Sequence, residues 1–201
     1  MFIIITTDIL FEGEASILNR LFDEGMPLLH LRKPSSTKQE ISGLLSLIDD
    51  QYFDRIVLHD HYDLLRMFSL RGIHLNKRNQ YDPDIRQSSV SCSCHSFQSV
   101  ASLMANHDYL FLSPIFDSIS KTGYHHAFTA EQLTEAGKQG LINEKVIALG
   151  GVDEQTIPVA AGYGFGGVAV LGALWRNYLT DKDEISLIKR FNKLKKIANQ
   201  Q

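Results

Sequence analysis

The sequence predicts one α/β domain over residues 1–201, a closed (β/α)8 TIM barrel, and three observations carry that prediction. Short apolar runs rich in β-branched residues, eight in all, alternate with segments whose apolar residues recur at helical spacing. No linker or composition break interrupts the alternation, and eight parallel units in 201 residues leave no obvious edge strand. No glycine-rich turn follows the first run, which lowers the competing open doubly wound sheet.

The elements follow in order. Phe2 to Thr6 is a buried strand, and Ile17, Leu18, Leu21 and Phe22 mark a helix that Gly25 stops. Residues 27–32 make the second strand, with Pro27 tolerable only at its start. Ser36 with Gln39, or Thr37 with Glu40, has capping-box spacing for a helix burying Ile41, Leu44, Leu45 and Ile48. Arg55 to Asp60 is the third strand, followed by a helix with Leu64, Leu65 and Phe68. Gly72 to Leu75 is a short fourth strand before the charged stretch NKRNQYDPD, and Ser89 to Cys94 is the fifth, leading to a helix with Phe97, Val100, Leu103 and Met104 on one side. Tyr109 to Leu112 is the sixth strand. Thr129 with Gln132 caps a helix through about Lys138, burying Leu133 and Ala136. Lys145 to Gly151 is the seventh strand, and Pro158 limits the short helix after it. Gly166 to Leu174 is the eighth, and a last helix starts at Thr180, with Ile188, Phe191, Leu194 and Ile197 as its stripe.

Composition narrows the function. Hydrophobic content of 44% with 21% charged residues is that of a soluble globular protein, excluding disorder and fibrous folds. A net charge of -3 gives no global basic field for nucleic acid, and the basic C-terminal run alternates with apolar residues as a solvated helix face does. Cys92 and Cys94 stand one residue apart, a strained geometry for a disulfide, and no four-ligand zinc site assembles around them. Reduced, buried cysteines in a cytoplasmic protein are the expectation. The N-terminal apolar run is too short for a signal peptide or a membrane span.

The stretch from Leu112 to His126, LSPIFDSISKTGYHH, turns from the end of an apolar run into a polar loop. Ser113, Ser118, Ser120, Thr122 and Tyr124 surround Lys121, a composition suited to an anion such as phosphate and equally common on plain surfaces. The other strand ends decide between these. They carry Thr6, Arg32, His59 with Asp60, His74, Ser93 with His95, and Ser113, where α/β folds gather their ligands. Gly150 and Gly151 end the seventh strand and Gly172 the eighth, where backbone N–H groups can meet a phosphate; tight turns without a ligand are the alternative.

The ordered motifs HLR, LHD, GIHLNKRN, SCSCH, SPIFDSISKTG and VLGAL resemble those of thiamine phosphate synthase and its relative thiazole tautomerase, over most of the chain. The resemblance implies a barrel enzyme, a transferase of thiamine biosynthesis, joining an aminopyrimidine diphosphate to a thiazole phosphate with release of pyrophosphate and help from magnesium. It makes Arg32, Lys121 and Ser93 the catalytic candidates. His30, His59, Ser118, Ser120, Gly151 and Gly172 become substrate-binding candidates, and Asp60 a magnesium ligand. His30 replaces the family's glutamine and Pro34 its lysine, so that Lys33 is a second candidate for the same anion. His59 replaces an asparagine, Gly172 a serine, and Asn79 the aspartate that completes the metal site, with Lys77 and Arg78 before it. Small phosphorylated molecules are the implied partners, with no nucleic acid and no membrane, and a homodimer is the candidate assembly.

Two rivals remain open. A tautomerase needs a proton shuttle; its branch of the family has a histidine before the strand-six loop where this chain has Ser113 and Pro114, although His125 and His126 offer acid–base chemistry. A non-catalytic phosphate-ligand module would explain the eroded metal motif. If Lys121 is a main charge partner of the leaving diphosphate, Lys121→Ala slows pyrophosphate release by the equivalent of about 2–4 kcal/mol. An unchanged rate in a pyrophosphate-release assay removes Lys121 from that role.

Overall fold

The computed structural model describes residues 1–76, 89–117 and 127–200. Eight parallel strands close in sequence order into a barrel: β1 (Phe2–Ile5), β2 (Leu29–Leu31), β3 (Ile56–Leu58), β4 (Gly72–Leu75), β5 (Ser89–Cys94), β6 (Tyr109–Leu112), β7 (Val146–Leu149) and β8 (Gly167–Val170). The closure is direct: Phe2, Ile3 and Ile4 of β1 lie opposite Val168, Ala169 and Val170 of β8. The predicted (β/α)8 barrel is therefore the observed fold.

Helices α1 (Glu14–Asp23), α2 (Lys38–Leu45), α3 (Phe97–Leu103), α4 (Ala130–Lys138), α5 (Thr156–Gly162), α6 (Gly172–Trp175), α7 (Tyr178–Asp181) and α8 (Glu184–Ala198) complete the chain. Thr37 and Thr129 form the capping boxes expected with Glu40 and Gln132, satisfying N–H groups that have no partner inside the helix. Ser36 takes no such role. Pro158 sits at the third position of α5, where its missing N–H costs no helical bond. Among the described residues no helix is long and apolar enough to cross a membrane.

Several local readings change. Between β3 and β4 the predicted helix is only a 3-10 turn, Tyr62–Arg66, because five residues inside so short a connection cannot propagate an α-helix. The last helix starts at Glu184, not Thr180; Asp183 is its N-cap, accepting from the Ser186 amide, and Thr180 belongs to the separate short α7. Strand eight ends at Val170, and its expected tail, Gly172 to Leu174, is already helical. Both cysteines are free thiols, but Cys92 is only half-buried.

Alternation within each strand separates two cores. Phe2, Ile4, Leu29, Leu31, Ile56, Leu58, Leu110, Leu112, Val146 and Val168 face the helices. Ile3, Ile5, Val57, Tyr109, Phe111, Ile147 and Ala169 fill the barrel axis. In the outer layer Phe22 stacks on Tyr52 with centroids 4.7 Å apart, and Trp175 of α6 donates from Nε1 to the Ile5 carbonyl at 2.8 Å, tying the helix after β8 to the first strand.

Lys33 takes a different place from the one considered for it. Its Nζ lies 2.6 Å from Glu14 Oε1, 2.7 Å from the Ile9 carbonyl and 3.2 Å from Thr7 Oγ1, in a fully buried ion pair. It pins the β1–α1 loop to the end of β2 and does not face the barrel mouth. Burial pushes the Glu14 carboxyl up and the Lys33 ammonium down, each opposed by the other's charge. Lys33→Met leaves Glu14 buried without its cation and is expected to cost about 3–5 kcal/mol in urea unfolding, whereas adding Glu14→Leu recovers most of that loss. A single variant as stable as wild type contradicts this reading of the pair.

Candidate active site

The C-terminal ends of the strands enclose a cavity of about 450 Å³ lined by Ile5, Arg32, His59, His74, Leu75, Asn76, Cys92, Ser93, His95, Phe111 and Leu149. A larger groove of about 750 Å³ lies on the outside against α1 and α2 and shares no lining residue with this cavity. The mouth is the site by chemistry: ligands of parallel barrels bind where the strands end, and the polar side chains converge there.

The cavity has two halves. Ile5, Phe111 and Leu149 give an apolar wall, while β3 to β5 give imidazoles, hydroxyls and an amide. Arg32 lies at the rim. Its backbone N–H donates to Thr6 Oγ1 at 2.9 Å, the Thr6 hydroxyl donates back to the Arg32 carbonyl at 3.0 Å, and its guanidinium pairs with Asp8. The cation is thus held at the ends of β1 and β2, about one-third exposed and within reach of an incoming anion. His95 donates from Nδ1 to the Ser113 carbonyl at 2.9 Å, joining the exits of β5 and β6.

Beneath this floor lies a polar network. His30 Nδ1 is 2.9 Å from His59 Nε2, and His30 Nε2 is 2.7 Å from the Tyr109 hydroxyl. His74 is held from both sides, Nδ1 by Ser91 Oγ and Nε2 by Ser93 Oγ, each at 2.8 Å. Asn76 donates to the His59 carbonyl at 2.6 Å, and the Tyr62 hydroxyl donates to the His74 carbonyl at 2.7 Å. Burial holds His30 well below the usual imidazole range and His74 down at about 3, so both rings are neutral; it also pushes the Tyr109 phenol up to about 12.

Three imidazoles with ligand atoms within 4.8 Å of one another invite comparison with a metal centre. The ring geometry argues otherwise. The His59 and His74 planes are stacked, 4.3 Å between centroids and 23° apart, whereas an imidazole binds a metal in its own plane and two near-parallel rings cannot share one. Nor do the described residues by themselves make a magnesium site. Hard cations take oxygen ligands, and no carboxylate lines the cavity among the described residues: Asp60 stands outside its lining, and Asp8 is engaged by Arg32.

The predicted site residues divide accordingly. Arg32, His59 and Ser93 line the cavity together. His30, expected to touch substrate, is wholly buried one layer below, since its ring turns toward the axis between His59 and Tyr109. Gly151 and Gly172 do not line the cavity. Gly151 adopts φ 64°, and a Cβ there would meet the Asp117 carbonyl oxygen at 2.3 Å, so its lack of a side chain lets the segments after β6 and β7 touch. Ser118, Ser120 and Lys121 lie outside the described residues, as do Lys77, Arg78, Asn79, His125 and His126. Tyr109 and Ser91 join the network from within ordinary strand runs; their inward phase, two residues before Phe111 and Ser93, is the signal in the sequence that marks them.

The family profile described as thiamine monophosphate synthase matches residues 1–174. The chain belongs to that family. It is a transferase of thiamine biosynthesis by that membership. A crystal structure of thiamine phosphate pyrophosphorylase from Bacteroides thetaiotaomicron is 42% identical, with a TM-score of 0.89, covering 100% of this chain and 98% of that one. A thiamine-phosphate synthase of Limosilactobacillus reuteri is 28% identical over 152 residues, 70% of this chain and 66% of its own length. The thiamine phosphate pyrophosphorylase of Pyrococcus furiosus, 18% identical with a TM-score of 0.75, shares the barrel fold.

Because His74 is neutral in the fold and charged in the unfolded chain below about pH 6.5, unfolding takes up a proton there. Its contribution to stability is present above pH 6.5 and is lost as pH falls toward 3. The expected slope is roughly 1.4 kcal/mol per pH unit for each such histidine. Denaturant unfolding at pH 7 and pH 5 measures it, and His74→Gln should flatten the dependence.

Proposed function

We propose that the protein is a thiamine phosphate synthase, transferring the aminopyrimidinylmethyl group of a diphosphate ester to the ring nitrogen of a thiazole phosphate. The observation that carries this reading is the strand-end cavity, with an arginine at its rim and an apolar wall facing polar groups, in a chain that matches a thiamine phosphate pyrophosphorylase along its full length. The C–O bond between the pyrimidine methylene and diphosphate breaks, pyrophosphate leaves with the bonding electrons, and the thiazole nitrogen forms the new C–N bond.

In this reaction Arg32 meets the negative charge that grows on the leaving diphosphate, and Lys121 with Ser118 and Ser120 meets it from the β6 loop. Phe111, Leu149 and Ile5 supply the apolar face against which a planar ring lies, and Ser93 hydrogen-bonds that ring, holding the methylene in line with the thiazole. None of these roles requires a strong base. That suits a floor in which His30 and His74 are buried and neutral.

Incubation of the purified protein with aminopyrimidine diphosphate, thiazole phosphate and magnesium tests the reading through the appearance of thiamine phosphate. Arg32→Ala is expected to lower kcat/KM about 10²-fold. Product formation at the wild-type rate in that variant removes Arg32 from the mechanism. No product over a broad range of metal concentrations defeats the synthase reading itself, and thiazole phosphate binding without turnover then points to a binding module.

A further inference from the structure

The exit of β5 carries two hydrogen-bond acceptors whose direction is set by the backbone around them. Ser93 and His95 are two residues apart, so both fall on the inward phase of the strand, and both line the cavity. Each ends a short run of hydrogen bonds that begins at a backbone carbonyl. A carbonyl oxygen can only accept, so a run anchored there has one direction.

The first run starts at Ile73. The Ser91 hydroxyl donates to the Ile73 carbonyl at 3.4 Å, which leaves the Ser91 oxygen to accept from His74 Nδ1 at 2.8 Å. His74 is buried and neutral, and a neutral imidazole carries one hydrogen. With that hydrogen on Nδ1, Nε2 is a bare acceptor and takes the Ser93 hydroxyl hydrogen at 2.8 Å. Ser93 has then given away its only hydrogen, and it turns a lone pair to the cavity. The second run is a single step. His95 Nδ1 lies 2.9 Å from the Ser113 carbonyl and 3.3 Å from the Ser113 hydroxyl oxygen. The carbonyl fixes the hydrogen on Nδ1, so in the neutral ring Nε2 is bare. That nitrogen makes no hydrogen bond among the described residues. The Arg32 guanidinium, held at the ends of β1 and β2, offers only donors. The cavity therefore has a donor rim at β2 and an acceptor edge at β5.

We propose that Ser93 Oγ and His95 Nε2 form an acceptor-only edge that selects the exocyclic amine of a bound aminopyrimidine over an oxo group at the same ring position. The inference rests on the synthase reading for the ring it names, and goes beyond it in assigning the amine to these two atoms. An exocyclic amine has two hydrogens, one for each acceptor. The oxo analogue brings a carbonyl oxygen to the same place, where it meets two lone pairs, and its lactam N–H, one atom along the ring, reaches at most one of them. Acceptors left unpaired in this way weaken binding. Ser93 and His95 touch the ring, whereas His74 and Ser91 are positioning residues that act by taking up the Ser93 hydrogen. No proton changes hands, because selection is by bond direction alone.

Calorimetric titration of the intact protein with 4-amino-5-hydroxymethyl-2-methylpyrimidine and with its 4-oxo analogue tests the edge. Wild type is expected to bind the amine about tenfold more tightly, the worth of one hydrogen bond. In Ser91→Ala, His74 loses the acceptor for its Nδ1 hydrogen and can carry that hydrogen on Nε2, which frees Ser93 to donate. The preference is then expected to fall toward unity as affinity for the oxo ring rises, whereas a merely structural loss weakens both rings alike. His95→Ala should weaken binding of the amine about tenfold and of the oxo ring less. If Ser91→Ala does not fold, 15N-labelled histidine in wild type reads the same directions, since two-bond 1H–15N spectra distinguish a protonated ring nitrogen from a bare one. His74 and His95 are both expected to carry their hydrogen on Nδ1. Hydrogen on Nε2 of either neutral ring, equal affinity for the two pyrimidines in wild type, or binding of neither overturns the edge. None of these measurements needs turnover: thiamine phosphate formed by a protein with equal affinities leaves the synthase reading standing without this edge, and amine selectivity without product removes the synthase reading alone.

Discussion

Closure of the sheet is the constraint on which the rest of the structure depends. Once β1 pairs with both β2 and β8, no strand has a free edge, and every strand residue is committed either to the axis or to the helices. The axis is narrow and dry, so whatever points into it must be apolar or fully paired. β6, β7, β8 and β1 answer mostly with Phe111, Ile147, Ala169, Ile3 and Ile5. β2 to β5 answer with His30, His59, His74, Ser91 and Ser93, and the hydrogen-bonded floor follows from that choice.

The polarised axis also organises the mouth above it. The polar half supplies donors and acceptors at fixed heights, the apolar half supplies a flat wall, and the rim carries the charge. Tyr109 is the exception on the apolar side, and its hydroxyl is paired 2.7 Å from His30 Nε2. Buried polar groups of this kind specify a unique arrangement only when each is satisfied, and the paired geometry of His30 and His74 meets that condition. The Lys33–Glu14 pair does the corresponding work outside the axis, fixing the first βα loop so that Asp8 and Thr6 can hold Arg32.

Much of this was legible from residue order alone. Strands β4, β5 and β6 fall where their apolar runs begin and end, and the two threonine capping boxes were readable because a cap is a local contact between residues three apart. Arg32, His59 and Ser93 were found because polar residues at strand exits have few places to go but the mouth. His30 lies one layer deeper than its position at a strand end implies: its side-chain direction is readable in the sequence, but its depth depends on how far its neighbours reach over it. Lys33, just past the end of β2, turns to the buried Glu14 19 residues earlier in the chain, a partner that only the fold brings to it.

The sequence by itself determined the alternation of strands and helices, the number of units, the positions of the caps and the set of polar residues at the strand ends, because each of these depends on neighbours within a few residues. Tertiary structure alone decided which of those residues meet. A sequence separation of 79 between His30 and Tyr109, or of 29 between His30 and His59, carries no local trace of a 2.7 or 2.9 Å contact. Such pairs form only when closure brings all eight strands around one axis, and closure is a property of the whole chain.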